Sequence, residues 1–123
     1  MRRVAANRVY FSTNKAYNNH VIEIIDKTVV NHYQLHDELE LTEWLGGLII
    51  IAEELTISQF IENMQDKGRA SQHLDDILKD VYERGNTESN GIKSYSAIHI
   101  RGIDISTGKN LDKIKITQLH EHF

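Results

Sequence analysis

The sequence predicts an α+β domain: a small β-sandwich built from N- and C-terminal strands, with two short helices inserted between them. Three observations predict it. β-forming residues fill 1–52, the apolar period lengthens to that of a helix within 56–85, and two-residue alternation returns over 94–119. With 123 residues and 40% apolar content, the chain reads as a single domain, 1–123, with one core.

Taking the elements in order, Val4 to Phe11 is rich in β-formers, with Val9 and Phe11 on one parity and Tyr10 on the other. His20 to Ile25 and Thr28 to Tyr33 follow, separated only by Asp26-Lys27, which reads as a tight hairpin. Asp-Lys is a poorer turn pair than Asn-Gly, because Lys27 would have to accept a positive φ in the commonest two-residue turn. Gln34 to Glu43 is polar and irregular. Trp44, expected to plug the sandwich, leads through Gly46-Gly47 into an unbroken apolar run, Leu48 to Ala52. Such a run belongs to a strand covered on both faces.

Ile57, Phe60, Ile61 and Met64 then fall at i, i+3, i+4 and i+7, the stripe of a helix over Thr56–Gln65, with Thr56 and Gln59 spaced as a capping box. A second helix is expected over Ser71–Arg84. Ser71 is its N-cap, Asp75 and Asp76 complement its dipole, Leu74, Ile77, Leu78 and Val81 form its stripe, and Gly85 ends it. Residues 86–91, NTESNG, form a loop. From Ser94, Tyr95, Ala97, His99 and Arg101 alternate with Ile98, Ile100 and Ile103, and Ile114, Ile116 and Leu119 mark a last short strand.

Composition narrows the function classes. The formal charge is −4 and the basic residues are scattered, which argues against nucleic acid as partner. The absence of cysteine removes disulfides, thiolate metal sites and a cysteine nucleophile. No apolar run approaches membrane-spanning length, and Arg2-Arg3 is not followed by the apolar segment of a signal peptide. A soluble, cytoplasmic protein without membrane partners is expected. Proline is absent where average usage would give roughly six, so no turn is expected to rest on a cis-proline.

The stretches RRVAANRVYF, HVIEIIDKTVV and TEWLGGLII resemble the opening of amidohydrolase-superfamily enzymes of the chlorohydrolase and cytosine-deaminase-like type. SAIHIRGIDISTGKNLDKIKITQL is similar to the strands that return to the same sandwich after the catalytic barrel. The resemblance covers residues 1–51 and 95–119. It implies a composite sandwich whose N- and C-terminal strands share one sheet system. In that family the apolar strand continues into a His-x-His pair of metal ligands. Here Ile50, Ile51, Ala52, Glu53 and Glu54 occupy that ground. A (β/α)₈ barrel needs roughly 200 residues, and the stretch between Ala52 and Tyr95 suffices only for the two helices. The hydrolytic activity, its catalytic residues and its metal cofactor are therefore not carried over.

The remaining chemistry reads as structural. The chain has seven histidines. His120-Glu-His122 is spaced like a metal-binding pair but sits at the end of the sequence, where the geometry of two imidazoles is hard to fix. His20, His32 and His99 lie on expected strands, where convergence would make a metal or ligand site; half-buried structural histidines are the simpler reading. His36 beside Asp37 falls in a loop. Glu53 and Glu54 precede a helix, whose N-terminus acids stabilise. No G-x-S-x-G, G-x-G-x-x-G or Walker pattern is present.

The expected function is thus a non-catalytic structural or protein-interaction module. Its interaction face would be Ile57, Phe60, Ile61 and Met64, and its partner a second copy or a full-length amidohydrolase relative. The alternative is a small metal-dependent hydrolase or ligand-binding protein that uses the sheet histidines.

Overall fold

The computed structural model describes residues 1–12, 14–35, 42–66, 78, 79, 82, 94–102 and 115–120, with the backbone alone for 62–66. Its elements are β1 (Arg2–Ser12), β2 (Lys15–Ile25), β3 (Thr28–Gln34), β4 (Thr42–Trp44), β5 (Leu48–Glu53), α1 (Glu54–Asp66), β6 (Tyr95–Arg101) and β7 (Lys115–Gln118). The strands form one mixed sheet in the order β3-β2-β1-β5-β6-β7, and β4 also pairs with β1. The strand-rich α+β character matches the sequence reading. Where two packed sheets were expected, all seven strands belong to one sheet, because β1 bonds β2 on one side and β4 and β5 on the other. The C-terminal strands return to this sheet: β6 lies antiparallel to β5, which runs parallel to β1. No helix among the described residues is long and apolar enough to cross a membrane.

Strand β5 lies at the centre, and both its faces are buried, as its unbroken apolar run requires. Leu48, Ile50 and Ala52 pack with Tyr10, Ile98 and Ile100 on one face. Ile49 and Ile51 pack with Val4, Ile22, Ile24 and Ala97 on the other. Each fully buried Ile or Leu contributes about 1.5–3 kcal/mol over its exposed state, so this strand anchors two cores at once.

The first face is covered by α1. Ile57 and Phe60 are fully buried there, with Ile61 packed beside them. These three residues, expected to form an interaction face, are used in the chain's own core; the side chain of Met64 lies outside the described residues. The helix begins at Glu54, two residues before the expected start, so buried Thr56 sits within the first turn rather than at the N-cap. Glu54 is the acid of that first turn, the role the sequence assigned to it. Leu78, Lys79 and Tyr82 are helical. The Tyr82 hydroxyl lies 3.0 Å from the carbonyl oxygens of both Tyr10 and Ile51, pinning this segment to the seam between β1 and β5. The remainder of the expected helix 71–84, the loop 86–91, Ile103 and Ile114 lie outside the described residues.

The second face is buried by curvature. Three strands separate β3 from β6 in the sheet, yet the two pack together, and Ser96 Oγ donates to the Lys27 carbonyl at 3.0 Å. The sheet must therefore coil until its far parts meet across a concave face.

The coil has a crease. In the β1–β2 ladder the Asn7/Asn19 pair is skipped, and Asn19 takes φ 49°. Alternation flips there: Val4 and Ala6 lie on the concave face before it, and Val9 lies there after it. Level with the crease, β4 pairs with Arg3–Ala5 and β5 with Arg8–Tyr10, while Leu45, Gly46 and Gly47 bend between them. Gly46 and Gly47 have φ of 67° and 60°, and a Cβ on Gly47 would lie 2.5 Å from the Ile100 carbonyl oxygen. Glycine is required there on both counts. Trp44, expected in the core, is 54% exposed on β4, because the bend turns this short strand's side chain outward.

The hairpin forms where expected, with Asp26-Lys27 between β2 and β3. Its positive φ falls on Asp26 (54°) rather than Lys27. A short Asp side chain tolerates that region better than lysine does. We expect Phe60→Ala to lower stability by about 3–5 kcal/mol, and Gly47→Ala by at least the roughly 1–2 kcal/mol of left-handed strain. Urea unfolding of each variant measures both; a Gly47→Ala protein as stable as the parent would remove the bend from the account.

Candidate functional site

The crease gathers four rings at one end of the concave face. Tyr17 and His20, three residues apart across it, stack with centroids 4.8 Å apart and planes 20° apart. Phe11 meets Tyr17 edge-on at 5.5 Å and lies 4.4 Å from the His32 ring. His32 comes from β3, whose register places it opposite Ile22. His20 Nε2 and His32 Nδ1 are 2.9 Å apart. Two of the histidines singled out from the sequence thus converge.

Their hydrogen bond fixes a proton. His20 is 4% exposed, and its Nδ1 is buried with no partner. A buried N–H without an acceptor costs more than an unused lone pair. The favoured arrangement therefore has His20 Nε2–H donating to His32 Nδ1 and leaves His20 Nδ1 unprotonated. Burial, and next the charge His32 would carry, depress the His20 pKa below the usual imidazole value, with the Gln34 side chain opposing in part. His20 therefore resists protonation, and the facing nitrogens of the two rings are occupied by one another.

Beside this cluster the curled sheet leaves an open cavity of about 480 Å³. Phe11, Val29, Val30, Ile51 and Tyr95 give it an apolar lining. Its polar chemistry comes from Ser12, Lys15 and His32, with Asn31 completing the wall. Asn31 is otherwise engaged: its Nδ2 donates to Glu23 Oε1 at 3.2 Å. The volume and the mixture of apolar lining with a few polar groups are those of a small-molecule pocket.

Glu23 is the centre of a network that the sequence did not reveal. Arg3 Nε lies 2.9 Å from its Oε2 and Tyr33 Oη donates to the same oxygen at 3.0 Å. Burial would raise its pKa, but the hydrogen bonds from Arg3, Tyr33 and Asn31 and the Arg3 charge outweigh this and hold it below the usual carboxylate range. A carboxylate so fully engaged ties β1, β2 and β3 together and has no capacity left for acid–base work. The only signal in sequence is register, since Arg3, Glu23 and Asn31 stand opposite one another across three strands.

His99 and His120 stand apart from the His20/His32 pair. His99 Nε2 donates to the Gly46 carbonyl at 2.9 Å and holds the glycine bend against β6. Burial chiefly, and then the charges of Arg101 and Arg2, keep its pKa below the usual value against the opposing Gly46 bond. The His120 carbonyl accepts from Arg2 Nη1 at 3.0 Å, and His122 lies outside the described residues. Among the described residues no three His, Asp or Glu side chains are grouped to hold a metal ion. No family model, curated protein or solved structure matches the chain.

These groups set the pH dependence. His20 and His99 have folded pKa values below their unfolded ones, so the unfolded chain takes up protons that the folded one refuses. Their contribution is intact above about pH 6.5 and is lost as pH falls from there. Glu23, also lowered, adds to the loss once pH falls below its unfolded value of 4.5. We expect stability by urea unfolding to decline from pH 7.5 to pH 5, with a shallower decline in His20→Gln. A flat or rising profile over that interval contradicts the assignment.

Proposed function

We propose that the chain is a non-catalytic interaction module, related to the composite sandwich of the amidohydrolase-type enzymes but without their barrel, and that it pairs with a second copy of itself through β3. The observation that carries this is the composition of an open edge. Strand β3 ends the strand order, and its seven residues, TVVNHYQ, include no Lys, Arg, Asp, Glu or Pro. Proteins that keep an edge strand monomeric blunt it with such residues or with a β-bulge; β3 has none of these residues and a single bulge, at Val30. The opposite edge, β7, is four residues long and begins with Lys115. Val30, on β3, is 50% exposed, and Ile25, at the end of β2 beside it, is 46% exposed. Apolar side chains would flank a new strand laid against β3.

The relation to the composite sandwich is supported by strands from both parts of the sequence sharing one sheet, with the segment 42–50 lying parallel to β1. The absence of catalysis is supported by the chemistry: Glu23, His20 and His99 are occupied by structural bonds, and His32 Nδ1 is engaged by His20. A full-length relative that offers a strand is the alternative occupant of the same edge.

The cavity favours a second reading, in which the module binds a small ligand with an apolar body and an acidic group. Lys15 is the one formal charge on its lining, and no carboxylate faces it among the described residues. Titration with an aromatic carboxylate, followed by the His32 NMR resonances, tests this reading.

For self-association the measurement is sedimentation at micromolar concentration. We expect a dimer in the parent protein and a monomer in Val30→Lys, with the fold retained because Val30 is exposed. A parent protein that stays strictly monomeric sinks the pairing proposal.

A further inference from the structure

One face of β6 reaches two different places. Tyr95 lines the cavity beside His32, Ala97 lies in the core, and His99 and Arg101 line a second cavity of about 200 Å³ at the opposite end. Arg2, Lys115, Thr117 and His120 also contribute to this second lining. No carboxylate lines it among the described residues.

Its charge arrangement favours an anion. Arg101 and Lys115 stand directly opposite each other in the β6–β7 register. Like charges at facing positions destabilise a sheet, and among the described residues neither has an ion-pair partner. Arg2 is fixed differently. Its Nε and Nη2 reach the Glu43 carboxylate at 2.7 and 3.3 Å, and its Nη1 donates to the His120 carbonyl. Glu43 offsets one charge of three and is itself 45% exposed. A concentration of positive charge therefore sits on a chain whose net charge is −4. The same field reaches buried His99, whose protonation Arg101 and Arg2 both oppose.

We propose that this pocket binds a small divalent oxyanion of the phosphate class, clamped between Arg101 and Lys115, with Thr117 as a neutral donor. A monovalent carboxylate would leave one of the facing cations uncompensated, whereas a tetrahedral dianion presents oxygens to both strands. The volume is below that of pockets that take drug-sized ligands. It suits inorganic phosphate or the phosphoryl group of a larger molecule that extends into solvent, and not a whole nucleotide.

The test is calorimetric titration with inorganic phosphate against chloride at matched ionic strength, with phenyl phosphate as a second arm. Saturable phosphate binding is expected, weakened by about tenfold or more in the double variant Arg101→Gln, Lys115→Gln. Both positions are exposed, so folding is retained, and thermal unfolding verifies it. Lys15→Gln, at the other cavity, is expected to bind phosphate unchanged. Phenyl phosphate binding as tightly as phosphate assigns the pocket to a phosphoryl group on a larger molecule; weaker binding assigns it to the free anion. No saturable binding up to about 10 mM, an equal response to chloride, or an unaffected double variant overturns the proposal. None of these outcomes depends on whether β3 pairs with a second copy.

Discussion

The crease through Asn7, Asn19, Gly46 and Gly47 is the constraint on which the rest of the structure depends. A sheet of strands as long as β1 and β2 could bury one face under a helix and leave the other wet. The positive φ values at Asn19, Gly46 and Gly47 bend neighbouring strands at one level, so the sheet folds across itself rather than merely twisting. The flip of alternation in β1 and β2 then supplies the enclosed face with apolar residues from both sides of the bend. Without the flip, Val9 and Phe11 would point away from the concave side while Val4 and Ala6 pointed in, and half of that core would be missing. His99 locks the bend by donating to Gly46, which ties the crease of the first strands to β6 from the far part of the sequence.

The same economy governs the polar groups. Glu23, His20, His32, His99 and Tyr82 are all chemically capable side chains, and each is held by partners that leave it little freedom. Their bonds run between different elements, from Arg3 on β1 to Glu23 on β2 or from Tyr82 to Ile51 on β5. Each closes a contact that the hydrophobic cores alone would leave free to slip in register. Buried polar networks of this kind fix one arrangement among several that would bury similar apolar area. The two cavities are different. They lie where the inner face ends, one against β3 and one against β7, and their lining carries charges that no ion pair among the described residues engages, Lys15 at one and Arg101 and Lys115 at the other.

Much of this was legible in the sequence. The apolar run Leu48 to Ala52 announced a strand buried on both faces, Asp26-Lys27 marked the hairpin of β2 and β3, and the Ile57, Phe60, Ile61 stripe marked a helix. Each signal is local, and each element kept its local preference. What escaped was non-local. Asn7 and Asn19 read as ordinary polar residues of a strand, and nothing in either one's neighbourhood shows that the ladder skips them at a bend. Thr42–Trp44 is too short to register as a strand until β1 is there to accept it. Ile57 and Phe60 displayed a helical stripe correctly, but periodicity says only that a stripe is buried, not whether its own sheet or another chain buries it. The convergence of His20 with His32, and the separation of His99 from both, follow from register and curvature together. No spacing in sequence encodes that pair of facts.

The cavity beside His32 and the free edge of β3 have one origin. A sheet that coils far enough to close becomes a barrel, in which the last strand bonds to the first and no edge remains. Here coiling carries β3 onto β6, close enough for Ser96 to reach the Lys27 carbonyl, but the two strands share no ladder. The residues of β3 that would have faced a partner strand, Val29 to His32, instead wall the gap, with Ile51 at its floor and Tyr95 across it. Among the described residues no further strand pairs with the outer side of β3. The gap is therefore not an independent pocket set into a finished fold. Any strand that pairs with β3, or any ligand that fills the space between β3 and Tyr95, completes a closure that the chain begins. Occupation of one would stiffen the strand that walls the other, and His32, bonded to His20 and exposed to that space, sits where the two meet.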